Sequence, residues 1–356
     1  MTSITRYVPA NVLCSQPWLN FTFEANASRQ IRRFHREPEK QLSMKIKFIF
    51  YLCISLFHFI NLRGAENEQL SPESNPDDKA TTLEEGKSFV TSILVPRDEK
   101  RALELFLTAG LQGDPLGYFN AARLLDYGAV CIELNAGEAT VLYAKAEEAL
   151  SSLEVSRLNG EQLYSLGIIY KSGLGGVPVS REKARDFLER SSELNYPPAM
   201  RELGMHLLTF QEGKSKEAGV NLICESAGAG DLMSVLTLPV LSQRTDIDGQ
   251  QRRVIEIARN TVSKKLEEAV ESDDVTATFR LGTVFVIEEK RVIEGIALLE
   301  KAARMGSVES LFSLGFVYAK GKAGVKKDLK LARAYWEKAA ALGDCRANIL
   351  LDSIDE

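Results

Sequence analysis

The feature that most constrains this chain is that it repeats itself from about Thr82 onward, and repetition at a period of 20 to 50 residues limits the fold before any single motif does. In one copy Leu314-Gly315 is followed by Tyr318, Gly321, Gly324-Val325, Asp328, Leu331-Ala332, Trp336, Ala339-Ala340 and Gly343. In another Leu166-Gly167 is followed by Tyr170, Gly173, Gly176-Val177, Lys183-Ala184, Leu188 and Asn195. With the Leu of Leu-Gly as anchor, equivalent positions are Ala121, Leu166, Leu203, Leu238, Leu281, Leu314 and Leu351, spaced by 45, 37, 35, 43, 33 and 37 residues. Eight residues before six of these seven anchors stand Gly113, Asn195, Gly230, Asp273, Gly306 and Gly343. These residue types tolerate the left-handed conformation that closes a helix.

Each unit reads as two helices. Leu311, Leu314, Gly315 and Tyr318 share one helical face, and Leu331, Tyr335, Ala339 and Leu342 share the next. Gly315 and Ala339-Ala340 let the two helices approach, Tyr318 and Trp336 fill the space above them, and Asp328 is placed to cap the second helix. The grid predicts second helices near 98–112, 143–155, 181–194, 217–229, 250–272, 293–305 and 329–342. The 43-residue unit puts its extra length into the helix from Gln250, and the 45-residue unit into a longer inter-helix region around Ala129–Thr140. A hairpin of this kind cannot bury its apolar stripe alone, so neighbours must stack.

The pattern written by residues 314–343 resembles the Sel-1-like repeat, a relative of the tetratricopeptide repeat. The likeness is good at 166–195, recognisable at 203–230 and 281–306, and weak at 121–155 and 238–273. It implies an all-α, right-handed α/α superhelix of about seven helical hairpins that works as a protein-interaction scaffold or adaptor, with no shared catalytic residue. The motif residues Leu314, Gly315, Tyr318, Trp336 and Ala339 are then structural. Cysteine-rich members of that family carry regularly spaced cysteine pairs, which are absent here.

Charge divides the chain. Residues 1–65 hold nine Lys/Arg against three acids, leaving 35 against 46 for residues 66–356. The acidic piece lacks the positive field that phosphate neutralisation needs, which argues against nucleic acid as a partner. Of three histidines only His206 lies in the acidic piece, which argues against a Ser-His-Asp triad or a His-rich zinc site.

The uncharged run 48–62 follows Lys45 and Lys47 and precedes Gly64-Ala65. As a helix it reaches roughly 22 Å, short of the roughly 30 Å hydrocarbon layer. Residues 44–65 are therefore expected to be a secretory signal peptide, with an uncleaved signal anchor, and hence a membrane tether through 48–62, as the alternative. On that reading Met44 is a start and residues 1–43 a dubious upstream extension, whose sequons at Asn20 and Asn26 are chance matches. Residues 66–81 are polar, punctuated by Pro72 and Pro76, and read as a disordered linker before a solenoid over 82–356.

Five features invite a chemical reading. Gly173-Leu-Gly-Gly-Val-Pro178 lacks the Gly-Lys-Ser/Thr ending of a phosphate cradle and reads as an inter-helix turn. Lys320, Lys322, Lys326, Lys327 and Lys330 read as a solvated loop, with a foothold for an acidic partner or membrane surface as the minority reading. Glu267, Glu268, Glu271, Asp273 and Asp274 have no calcium-loop spacing and read as a solvated face. His206 falls close to a repeat Tyr and is expected to pack. Cys131, Cys224 and Cys345, an odd number without repeat spacing, predict buried single thiols rather than a disulfide framework, with Cys345 at the opening of a terminal helix.

The expectation is an exported, monomeric, non-catalytic scaffold that takes a protein or peptide in its superhelical groove, with no catalytic, metal or cofactor-binding residue. The alternatives are a membrane-anchored assembly factor and a carboxylate-based envelope hydrolase.

Overall fold

The computed structural model describes residues 79–127, 131–210, 214–287, 291–321 and 324–355. Fifteen α-helices and no strand lie among them. They pair as α1 (Lys79–Thr91) with α2 (Glu99–Leu111), α3 (Pro115–Tyr127) with α4 (Ala136–Ser151), α5 (Gly160–Ser172) with α6 (Arg181–Glu193), and α7 (Pro197–Phe210) with α8 (Lys214–Gly228). The rest are α9 (Leu232–Ser242) with α10 (Gly249–Glu271), α11 (Val275–Ile287) with α12 (Val292–Arg304), α13 (Val308–Lys320) with α14 (Leu329–Ala341), and a last, single helix α15 (Cys345–Asp355). Seven hairpins are thus followed by half of another. Helix α1 starts inside the span expected to be linker.

The connections between hairpins explain the period. Six of the seven consist of three residues: 112–114, 194–196, 229–231, 272–274, 305–307 and 342–344. The middle residue is left-handed in every case, with φ between 57° at Asn195 and 100° at Gly343. Asn195 and Asp273 are the only non-glycine residues with positive φ among the described ones. The third residue often supplies a side-chain acceptor for the next helix: Asp231 takes the Ser234 N–H at 2.9 Å, Asp274 that of Ala277 at 2.7 Å and Ser307 that of Ser310 at 3.1 Å. The left-handed residue turns the chain back and the cap starts the next helix within a single step.

Within hairpins, small residues set the distance. A Cβ on Gly204 would lie 2.7 Å from the Gly219 carbonyl oxygen, and one on Gly219 would meet the Gly204 oxygen equally closely, so α7 and α8 touch backbone to backbone. In the α13–α14 hairpin Gly315 gives its space to Trp336, whose ring is fully buried and whose indole N–H donates to the Phe312 carbonyl at 3.1 Å. Tyr318 and Tyr335 stack in parallel 5.7 Å apart. Asp328 caps α14 through the Leu331 N–H, as expected.

The 45-residue unit departs from expectation. Its second helix runs 136–151 instead of 143–155, because Asn135 caps it through the Glu138 N–H at 3.1 Å. Residues 136–140 of the region expected as loop are therefore helix. The extra residues go into an eight-residue connection, 152–159, containing a single 3₁₀ turn (Val155–Arg157). The 43-residue unit does extend its second helix, to the 23 residues of α10.

The stack also closes on itself. The α1–α2 loop reaches the last elements: the Ile93 carbonyl accepts from the Glu309 N–H at 3.4 Å, and the Arg97 carbonyl from the Cys345 N–H at 3.1 Å. Ile93 packs against a core cluster that includes Leu232, Phe279 and Leu314. Cys131 and Cys345 form a disulfide across 214 residues of sequence. The expectation of single thiols was wrong for both and holds only for Cys224, which is free and half-buried. The parity argument counted cysteines without the curvature of the stack, which brings its two ends within bonding distance. Fully buried Glu99 sits behind the bond, accepting the Cys131 N–H at 2.9 Å and pairing with Arg97 at 2.8 Å.

Candidate interaction surface

The one long connection between hairpins leaves a gap. Where three residues join the hairpins, the next helix starts at once; where eight do, α4 and α6 stand apart, and a groove of about 890 Å³ opens between them over α5. Leu150, Leu166 and Tyr170 form its floor as part of the buried core, and Phe187 of α6 and Val155 of the 3₁₀ turn supply its accessible apolar side chains. Val155 and neighbouring Leu153 are 38% and 45% exposed, so the added residues display apolar side chains instead of hiding them.

The charges along the groove are partly spoken for. Glu147 accepts through Oε1 from the Tyr170 hydroxyl at 2.6 Å and from the Ser151 hydroxyl at 2.8 Å. Lys183 lies 4.6 Å from the centre of the Tyr170 ring, which stacks on Phe187. Arg185 pairs with Glu189 at 2.6 Å, and Asp186 with Arg190 at 3.0 Å. Glu182, exposed in the first turn of α6, completes the rim.

Elsewhere the charged groups of the first helices are buried in structural roles. Arg346 lies over the Phe312 ring and forks onto Glu309 (3.1 and 2.6 Å) and Asp344 (3.1 and 2.6 Å), four charge-assisted bonds at 3% side-chain exposure. Arg201 holds Asp231 with two bonds, at 2.8 and 2.6 Å, while Asp231 also takes the Ser234 hydroxyl. Lys87 of α1 reaches Glu161 of α5 at 2.8 Å and Glu84 at 2.9 Å. Burial pushes the Glu161 carboxyl up although Lys87 opposes the shift. The partner of Glu161 is an ammonium group that fixes it in place.

The residues singled out from sequence stay dispersed. Gly173–Pro178 is an inter-helix turn: Gly173 ends α5 with φ 68°, and Gly175 lies so close to the α4 backbone that a Cβ would come 2.6 Å from the Ala144 nitrogen. His206 is half-buried, its pKa lowered by burial and by Lys171, Arg185 and Arg181. Of the acidic group, Glu267 pairs with Arg291 at 3.6 Å, Glu268 with Lys264 at 3.7 Å, and Asp273 with Lys301 at 2.8 Å. Lys322 lies outside the described residues, as do the run 48–62, the signal segment and the upstream extension. No described helix is long and apolar enough to cross a membrane. The groove itself was missed, although the 45-residue spacing marks its unit.

These hairpins, joined by left-handed, capped steps, define an all-helical repeat protein. A family model for the Sel1 repeat matches residues 89–114, 163–196, 292–307 and 308–344, so these four segments are Sel1 repeats. Repeats of this kind generally mediate protein–protein interaction and typically serve as non-catalytic scaffolds. A search of curated proteins finds no match. Among solved structures, the chain is similar to a protective antigen of uropathogenic Escherichia coli with an SLR fold, at 21% identity and a TM-score of 0.32 over 78% of this chain and 56% of that one. It is also similar to a Sel1 repeat protein from Oxalobacter formigenes (20%, TM-score 0.34, 73% and 99%) and to an immunity protein from Pseudomonas aeruginosa (17%, TM-score 0.34, 78% and 86%). The chain thus spans about half the length of the first of these.

Proposed function

We propose that this protein is an exported, non-catalytic scaffold that holds another protein on the superhelical surface of its repeats, in a form latched by its own disulfide. The observation that carries the reading is the Cys131–Cys345 bond in a chain of Sel1 repeats. Structural disulfides persist in oxidising compartments and are rare where glutathione keeps thiols reduced. That chemistry agrees with the signal-like segment at 44–65. The buried carboxylates support the non-catalytic part of the reading, because Glu309, Asp344, Asp231 and Glu161 are each bound to a cation of the fold.

Fractionation of the native cells followed by crosslinking in the envelope tests it. The expected result is a protein outside the cytoplasm that starts downstream of residue 65 and crosslinks reproducibly to a defined neighbour. A membrane-bound form that retains 48–62 would convert the reading to an anchored assembly factor. A reduced, cytoplasmic protein with no neighbour would refute it.

A further inference from the structure

The groove between α4 and α6 is where the chain breaks its own rule, since every other described connection between hairpins has three residues and this one has eight. Where local regularity is lost, a functional role is one explanation to test. The added residues bury Leu158 but leave Leu153 and Val155 exposed beside an apolar-lined groove. Apolar side chains bordering a groove and rimmed by charge mark a surface for a partner.

We propose that this groove docks a segment of another protein that presents an aliphatic or aromatic side chain next to a lysine or arginine. The apolar side chain would enter between Phe187 and Val155, above the buried Tyr170. The basic neighbour follows from the charges. Four carboxylates and two cations line the groove. Arg185 is paired with Glu189 and Asp186 with Arg190, which leaves two carboxylates, Glu147 and Glu182, against one cation, Lys183, whose ammonium lies on the face of Tyr170. Glu182 and the second oxygen of Glu147 are left to accept from an incoming cation, since both bonds to Glu147 fall on Oε1. The surplus negative charge of residues 66–356, 46 acids against 35 bases, steers a cationic segment toward this surface. This proposal rests on the scaffold reading and assigns it a place and a chemistry.

The test is a positional-scanning peptide library, with all residue types placed around a central leucine or phenylalanine, applied to the purified full chain. Selected peptides should carry Lys or Arg within two positions of the apolar residue. The best peptide should bind the Glu147→Gln/Glu182→Gln variant and, separately, the Val155→Asp variant at least about tenfold more weakly, and wild type more weakly as salt rises. Ile257→Asp, at an exposed position on α10, should leave binding unchanged. Circular dichroism of each variant controls for folding. Selection of acidic peptides, of none, or of peptides indifferent to the groove variants overturns the proposal. In the last case the chain still binds peptides and the scaffold reading stands; that reading fails only if the envelope crosslinking also returns no neighbour.

Discussion

Reducing the Cys131–Cys345 bond should cost this protein more than most single disulfides cost theirs, because the bond spans 214 residues. The chain-entropy relation, −2.1 − 1.5R ln n, gives about −18 cal/mol/K for a loop of that size, or about 5 kcal/mol at 25 °C. The contacts that remain at the closure pull the effect down: the Cys345 N–H on the Arg97 carbonyl, the Glu309 N–H on the Ile93 carbonyl, and the packing of Ile93. A loss of about 3–5 kcal/mol is expected. With a urea m-value of about 3 kcal/mol/M, the midpoint falls by about 1–1.7 M. The transition should also broaden, since an unlatched stack lets its end hairpins fray separately. The assay is urea unfolding followed by circular dichroism with and without a phosphine reductant, repeated on Cys131→Ser/Cys345→Ser. The double variant should match the reduced wild type and ignore the reductant. A midpoint that moves by less than about 0.3 M on reduction would show that the ends are held without the bond and would refute the reasoning.

Four further outcomes follow from single sites. Arg346→Met should destabilise by about 3–5 kcal/mol, because it strands the buried carboxylates of Glu309 and Asp344; Glu309→Gln in the same background should recover part of that loss in thermal melts. Lys87→Met should destabilise most at neutral pH. Burial already raises the Glu161 pKa, so with Lys87 gone the carboxylate is favoured only when protonated, and the gap to wild type should narrow as pH falls from 7 toward 4 in parallel urea titrations. Burial opposes the Lys87 charge, but Glu161 and Glu84 together raise its pKa, so on the alkaline side its stabilisation is fully present from neutral pH up to about pH 10.5 and is lost as pH rises through the folded value. Asn195→Gly should stabilise by about 0.5–1 kcal/mol, since φ is 57° there and glycine has no Cβ to strain, as read from the thermal midpoint. Cys224 should resist iodoacetamide in the native protein at pH 8 and react on unfolding, because burial pushes its thiol up to about 11.

The repeat was legible because its signals are local. A left-handed residue eight positions before the anchor and an apolar stripe are properties of adjacent residues, and Gly113, Asn195, Gly230, Asp273, Gly306 and Gly343 all adopt the conformation expected of them. Helix limits followed to within about three residues at 99–111, 181–193, 214–228 and 249–271. They failed at 136–151, where the repeat grid was imposed over the plainer signal of Asn135 and Glu138, a cap with an acid three residues on. The disulfide was illegible for a different reason. Each hairpin step adds a small rotation, and only the sum over the stack brings Cys131 to Cys345. Glu99 was hidden likewise: an acid at the first position of a helix ordinarily faces water, and here the arriving end of the chain covers it.

The closed stack is tested most directly by peptide mapping under non-reducing conditions. When the protein is unfolded without reductant in the presence of a thiol-blocking reagent and then digested, mass spectrometry should find the peptides of Cys131 and Cys345 joined and that of Cys224 blocked. Recovery of Cys131 and Cys345 as separate blocked peptides, or of either joined to Cys224, would contradict the account.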